Sequence, residues 1–127
     1  MRPFRLTAAA PKEHDVQDAV MTACERHPFV AWVGRFNSGT MKIGGRFIKF
    51  NSVKGFSDLA GQLKDGRFFA IECKHPVTGK LSDDQKKFLA TVESNNGIAI
   101  VASSADVVWP VLEQLRKDSK HASKKTS

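Results

Sequence analysis

Gly55-Phe56-Ser57-Asp58-Leu59-Ala60-Gly61-Gln62-Leu63-Lys64-Asp65-Gly66-Arg67-Phe68-Phe69-Ala70-Ile71-Glu72-Cys73-Lys74 is the stretch whose reading decides the fold. Two runs of strand-forming residues flank Asp65-Gly66, which signals a hairpin, and the length of its loop sets the register. A two-residue loop would oppose Lys64 to Arg67 and send Asp58 and Glu72 to different faces, because strand neighbours alternate. A three-residue loop, Lys64-Asp65-Gly66, places Gly66 at a left-handed position and brings Asp58 opposite Glu72. In that register Leu59, Leu63, Phe69, Ile71 and Cys73 share an apolar face. Asp58, Ala60, Ala70, Glu72 and Lys74 share the other, where the two alanines leave room beside the carboxylates.

Like charges directly opposite on a sheet repel, with Cβ atoms only about 4.5–5.5 Å apart, so a positive group is expected between Asp58 and Glu72. A divalent cation fits: Mg²⁺ takes oxygen ligands, keeps several waters, and is commonly held by one or two carboxylates plus a substrate phosphate. Glu72 and Lys74, two apart on a strand, project to one side. The expectation is that Asp58 and Glu72 bind the metal, with the Cys73 backbone carbonyl as a third ligand, and that Lys74 positions or activates the attacking water. The plain alternative is an ordinary hydrated strand face, since an E-x-K triplet is common by chance.

Composition restricts the partners. The chain has 127 residues and a net charge of +7, with 41% hydrophobic and 26% charged residues, as in one folded domain with an affinity for polyanions. Residues 116–127 hold five basic residues against one acidic, which makes +4 of that charge. The expected organisation is an arm over 1–10, a domain over 11–117 and a flexible basic tail over 118–127. Cys24 and Cys73 read as buried free thiols, and no C-x-x-C or His cluster suggests zinc. With no signal-like or membrane-spanning apolar run, a cytoplasmic, reducing location is expected.

Along the chain, Pro11 suits a first helical position, and Val16, Ala19, Val20, Ala23 and His27 recur at helical spacing up to Arg26. Residues 29–36 read as a strand and Asn37-Ser38-Gly39 as a turn. Met41-Lys42-Ile43 and Arg46-Phe47-Ile48-Lys49-Phe50 read as a hairpin about Gly44-Gly45. Ser82-Asp83-Asp84-Gln85 is a capping box opening a helix to about Asn95, with Phe88, Leu89 and Val92 as its buried stripe. Ile98–Ala102 reads as a strand covered on both faces and joined by a right-handed parallel crossover. A last helix begins after Ser103 or Ser104, with Pro110 kinking or starting it.

With these motifs assembled, the chain resembles the PD-(D/E)XK nuclease superfamily and, within it, the VRR-NUC domain, over roughly Lys12 to Leu115. The resemblance rests on Glu13 and Gln17, Arg35 through Gly39, Gly55 with Ser57-Asp58-Leu59, Ile71-Glu72-Cys73-Lys74, and Leu81-Ser82 with Gln85 and Phe88. It implies an α/β, restriction-endonuclease-like mixed β-sheet flanked by helices, in the order α-β-β-β-β-β-α-β-α. It also implies a Mg²⁺- or Mn²⁺-dependent DNA endonuclease in which Asp58, Glu72 and Lys74 are catalytic, Glu13 assists the metal from the first helix, and Gln85 supports the site from the second. Stand-alone members of phage or bacterial origin look like homodimeric nucleases of branched DNA such as four-way junctions; fused ones look like flap nucleases. Cys73 departs from the aliphatic residue usual between the Glu and the Lys, although its carbonyl is retained.

Arg35, Lys42, Arg46, Lys49 and Lys54 lie in a stretch without acidic residues and are the expected DNA contacts, gripping backbone and selecting shape rather than sequence. Phe36, Phe47 and Phe50, interleaved with them, read better as core residues. The competing functions are a non-catalytic nucleic-acid-binding module, against which the intact Asp58, Glu72 and Lys74 argue, and a flap or sequence-specific nuclease.

Overall fold

A computed structural model describes residues 12–36, 40–49 and 53–126; the arm over 1–10, Pro11, the turn at 37–39 and Phe50 lie outside them. Its elements are α1 (Glu13–Arg26), β1 (Val30–Arg35), β2 (Thr40–Ile43), β3 (Arg46–Lys49), β4 (Leu59–Leu63), β5 (Phe68–Cys73), α2 (Asp83–Ser94), β6 (Ile98–Ala102) and α3 (Ala105–Thr126). The protein is α/β in the expected element order. Four strands form one mixed sheet, β1-β4-β5-β6, in which only β5 and β6 are parallel. β2 and β3 form a separate antiparallel pair rather than extending that sheet, turning on Gly44 and Gly45, both at positive φ.

The β4–β5 ladder pairs Leu59 with Ile71, Ala60 with Ala70 and Gly61 with Phe69, the register that a three-residue loop demands. Gly66 closes that loop at φ 95°, and its N–H donates to the Leu63 carbonyl. On one face Leu59, Leu63, Phe69, Ile71 and Cys73 pack with Val16, Val20 and Cys24 of α1 and Val108 and Leu112 of α3. Burial in α1 therefore follows Val16, Val20 and Cys24; Ala19 of the expected stripe is exposed. On the other face Ala70 packs beneath Leu89 and Val92 of α2, with Phe88 and Leu81 beside them. β6 departs from the doubly covered strand expected of it: it is an edge strand, and Val101 is 45% exposed. Pro110 sits inside α3, whose backbone continues through the 118–126 stretch read as tail.

Candidate active site

Three elements converge on Glu72. It lies near the end of β5 on the face under α2 and is 1% exposed, so it is not on a hydrated face. Ser82 caps α2: its Oγ accepts the Gln85 N–H at 3.1 Å while Gln85 Oε1 accepts the Ser82 N–H at 2.8 Å. That reciprocal pair fixes the Gln85 amide, whose remaining Nε2 donates to Glu72 Oε1 at 2.9 Å. Gln85 thus serves the helix cap and the carboxyl at once.

Asp58 arrives from the loop before β4. The ladder stops at Leu59, one residue short of opposing the two carboxylates, and Asp58 Oδ2 instead accepts the Cys73 N–H at 2.9 Å. That bond anchors one Asp58 oxygen to the β5 backbone while the Asp58 carboxyl stays beside Glu72. Next to Asp58, the buried Ser57 donates its hydroxyl to the Leu59 carbonyl at 2.7 Å, and the Asp58 carbonyl accepts the Phe36 N–H at 2.8 Å. The Cys73 thiol lies in the core on the opposite face, and burial pushes its pKa up to about 12, so only its backbone is available to the site.

Glu72 Oε2 is buried without a hydrogen-bond donor. Burial first, then the neighbouring Asp58 carboxylate, push the Glu72 pKa up to about 8, with Lys74 opposing the shift. Two carboxylates are both acceptors and can bond each other only through a shared proton, so a cation placed there relieves what a proton otherwise must. The Lys74 ammonium stands 3.8 Å from Glu72 Oε1 and 3.9 Å from Glu13 Oε1, with its side chain largely enclosed. Glu13 therefore touches the site through Lys74. Among the described residues no three His, Cys, Asp or Glu side chains gather as a ready-made metal cluster. An orphaned carboxylate oxygen beside a second carboxylate nevertheless suits a hard cation that draws its other oxygens from backbone, water and phosphate.

The sequence profile of the VRR-NUC domain matches residues 41–106, which include every part of this carboxylate site except Glu13. The chain belongs to the VRR-NUC domain family. VRR-NUC proteins are nucleases acting on DNA and generally use divalent metals. No curated protein and no solved structure matches the chain significantly.

The expected DNA contacts of this VRR-NUC chain are more scattered than its carboxylates. Arg35 ends β1 beside Leu59 and is held in an ion pair by Asp18 of α1. Arg46, at the start of β3, and Lys54, before Gly55, are exposed; the side chains of Lys42 and Lys49 lie outside those described. Phe36 packs on Phe56 and Phe56 on Phe88, with ring centroids 5.4 and 4.7 Å apart, as core residues do. His75 accepts the Val77 and Thr78 N–H groups at Nδ1, which ties it to its own loop.

Sequence reasoning missed how the loop before Asp58 meets α2. Gly55 stands at φ 72° so close to the first turn of α2 that a Cβ there would fall 2.2 Å from the Asp84 carbonyl oxygen and 2.6 Å from the Gln85 nitrogen. The signal was a glycine three residues ahead of an aspartate, whose reason only the fold supplies.

Proposed function

We propose that this chain is a metal-dependent DNA endonuclease that hydrolyses phosphodiester bonds in branched DNA, with Asp58, Glu72 and Lys74 as its catalytic residues. The observation that carries the reading is Glu72 Oε2, buried and without a donor beside the Asp58 carboxylate, in a chain of a nuclease family. When bound, Mg²⁺ or Mn²⁺ would supply Lewis acidity at the scissile phosphate and make hydroxide available near neutral pH. Asp58 and Glu72 would hold that ion. The Cys73 N–H and the Gln85 amide keep one oxygen of each carboxyl occupied, which leaves the others for the metal. Lys74, restrained by Glu13 and Glu72, orients the attacking water and offsets charge that grows on the phosphate. Arg46, Lys54, Lys42 and Lys49 would grip backbone without reading bases, which favours substrates told apart by shape. A homodimer would offer two such sites to the two-fold symmetry of a four-way junction.

Labelled duplex, flap, single-stranded and four-way-junction DNA, incubated with Mg²⁺, Mn²⁺ or chelator, tests this. Cleavage of the branched substrates is expected, lost in chelator and in Asp58→Ala and Glu72→Ala. Cutting that survives chelator or either substitution refutes the mechanism, and binding without cutting under both metals favours a binding module.

A further inference from the structure

We propose that Gly55 is a positioning residue of the active site: by allowing its loop to lie against the Asp84–Gln85 peptide, it fixes the Gln85 amide on Glu72. The inference rests on the metal-site reading above and deepens it. The two carboxyls come from separate elements, Asp58 from a loop and Glu72 from β5, and the sheet alone does not set the helix that orients Glu72. Two contacts join the described part of the Asp58 loop to α2. One is Gly55 on the backbone at Asp84 and Gln85; the other is the Phe56 ring on Phe88 one helical turn further on.

The overlap is with backbone, so no rotation of a side chain relieves it. The Asp84 carbonyl carbon stands 2.3 Å from where a Cβ would lie. A methyl group at 55 must push back either the loop, and Asp58 with it, or the first turn of α2, and with it the cap bonds and the 2.9 Å bond to Glu72. Gly66 offers an internal comparison. It too has a positive φ, 95°, but a Cβ there meets no atom within 4 Å, so its replacement imposes backbone strain without displacing the site.

The test compares full-length wild type, Gly55→Ala, Gly66→Ala, Gln85→Ala and the double variant Gly55→Ala/Gln85→Ala. Mn²⁺ affinity is measured by calorimetry, and exchange of the Gln85 side-chain amide protons by NMR. Gly55→Ala is expected to bind Mn²⁺ about 10–100-fold more weakly, as for other residues that orient a metal ligand, and to release the Gln85 amide to faster exchange. Gly66→Ala keeps wild-type affinity, and the double variant binds no worse than Gln85→Ala. Wild-type affinity and exchange in Gly55→Ala overturn the proposal, as do losses that multiply in the double variant or an equal loss in Gly66→Ala. Failure of the wild type to take up Mn²⁺ refutes the metal reading instead, and amide exchange alone then decides the role of Gly55. If Gly55→Ala does not fold, Phe56→Ala, which loosens the same loop without overlap, is measured in its place; an unchanged Gln85 amide there overturns the proposal.

Discussion

Glu72 has one oxygen bonded to Gln85 and the other without a hydrogen-bond donor, with a second carboxylate beside the group, in a place that water barely reaches. Such a group costs the metal-free fold and contributes only when a cation arrives. Glu72→Gln keeps the volume, removes the need for the proton that Glu72, its pKa pushed up to about 8, takes up in the metal-free fold, and gives Asp58 an N–H donor. In chelator this variant should melt at or above the wild-type temperature; Mn²⁺ should raise the melting temperature of the wild type alone, and cleavage should be lost. Thermal melts with and without Mn²⁺ check the first two points, and a cleavage assay the third. His27 shows the opposite polarity. Its Nδ1 accepts the Phe29 N–H, so its proton sits on Nε2, which faces Glu113 at 2.9 Å beside the Trp109 ring. Burial holds its pKa below the ordinary 6.5, with Glu113 opposing that shift and Arg116 adding to it. A neutral buried histidine stabilises the fold fully above pH 6.5, and that contribution is lost as pH falls towards the folded value, because the unfolded chain binds the proton first. From pH 7.5 to 5.5 the urea midpoint of the wild type should therefore fall relative to that of His27→Gln; the comparison cancels Glu72, which with its pKa up to about 8 binds its proton first in the folded chain and stabilises both proteins as pH falls.

The β4–β5 hairpin was legible because its information is local. Loop length fixes the register, Gly66 only easing the positive φ of the turn, and the alternation of Leu59, Leu63, Phe69 and Ile71 fixes the buried face. The α2 cap was legible for the same reason, since Ser82 and Gln85 are three residues apart. What stayed hidden is tertiary. Nothing near Glu72 in sequence reveals that α2 lies over it, nothing at Val101 that β6 has no outer neighbour among the described residues, and nothing at Arg35 that Asp18 pairs with it. Removal of the cap hydroxyl tests the element directly. Ser82→Ala deprives the Gln85 N–H of its partner and should lower stability by about 1 kcal/mol in urea denaturation. Cleavage should fall further than that loss of stability explains, because the same turn aims Gln85 at Glu72.

Across the whole molecule the basic excess is concentrated in two stretches, +5 over residues 35–54 and +4 over 116–127, against −2 for the remainder, which gives the net +7. One is the stretch from Arg35 to Lys54, which joins β1 to β4 at the end of the sheet that bears Asp58. The other is the end of α3, past Leu115, the last of its described side chains packed on the core. α3 meets His27 at the C-terminal end of α1, whereas Glu13 at the opposite end meets Lys74, so a helix of 14 residues, roughly 20 Å long, separates the two meeting points. Phosphates flanking a scissile bond at Asp58 and Glu72 therefore meet the first region before the second. Removing one cation that neutralises a phosphate should reduce the slope of log K against log salt by about 0.9 on duplex arms. Lys42→Ala/Arg46→Ala/Lys49→Ala is expected to flatten that slope by up to about 2.7 on a short branched substrate. Lys117→Ala/Lys120→Ala should change it little until the DNA arms are long enough to reach α3. Affinities measured over a salt series, on junctions with short and long arms, distinguish the two regions. Equal slope changes on the short junction would mean that DNA crosses the molecule along a path other than the one through Asp58 and Glu72.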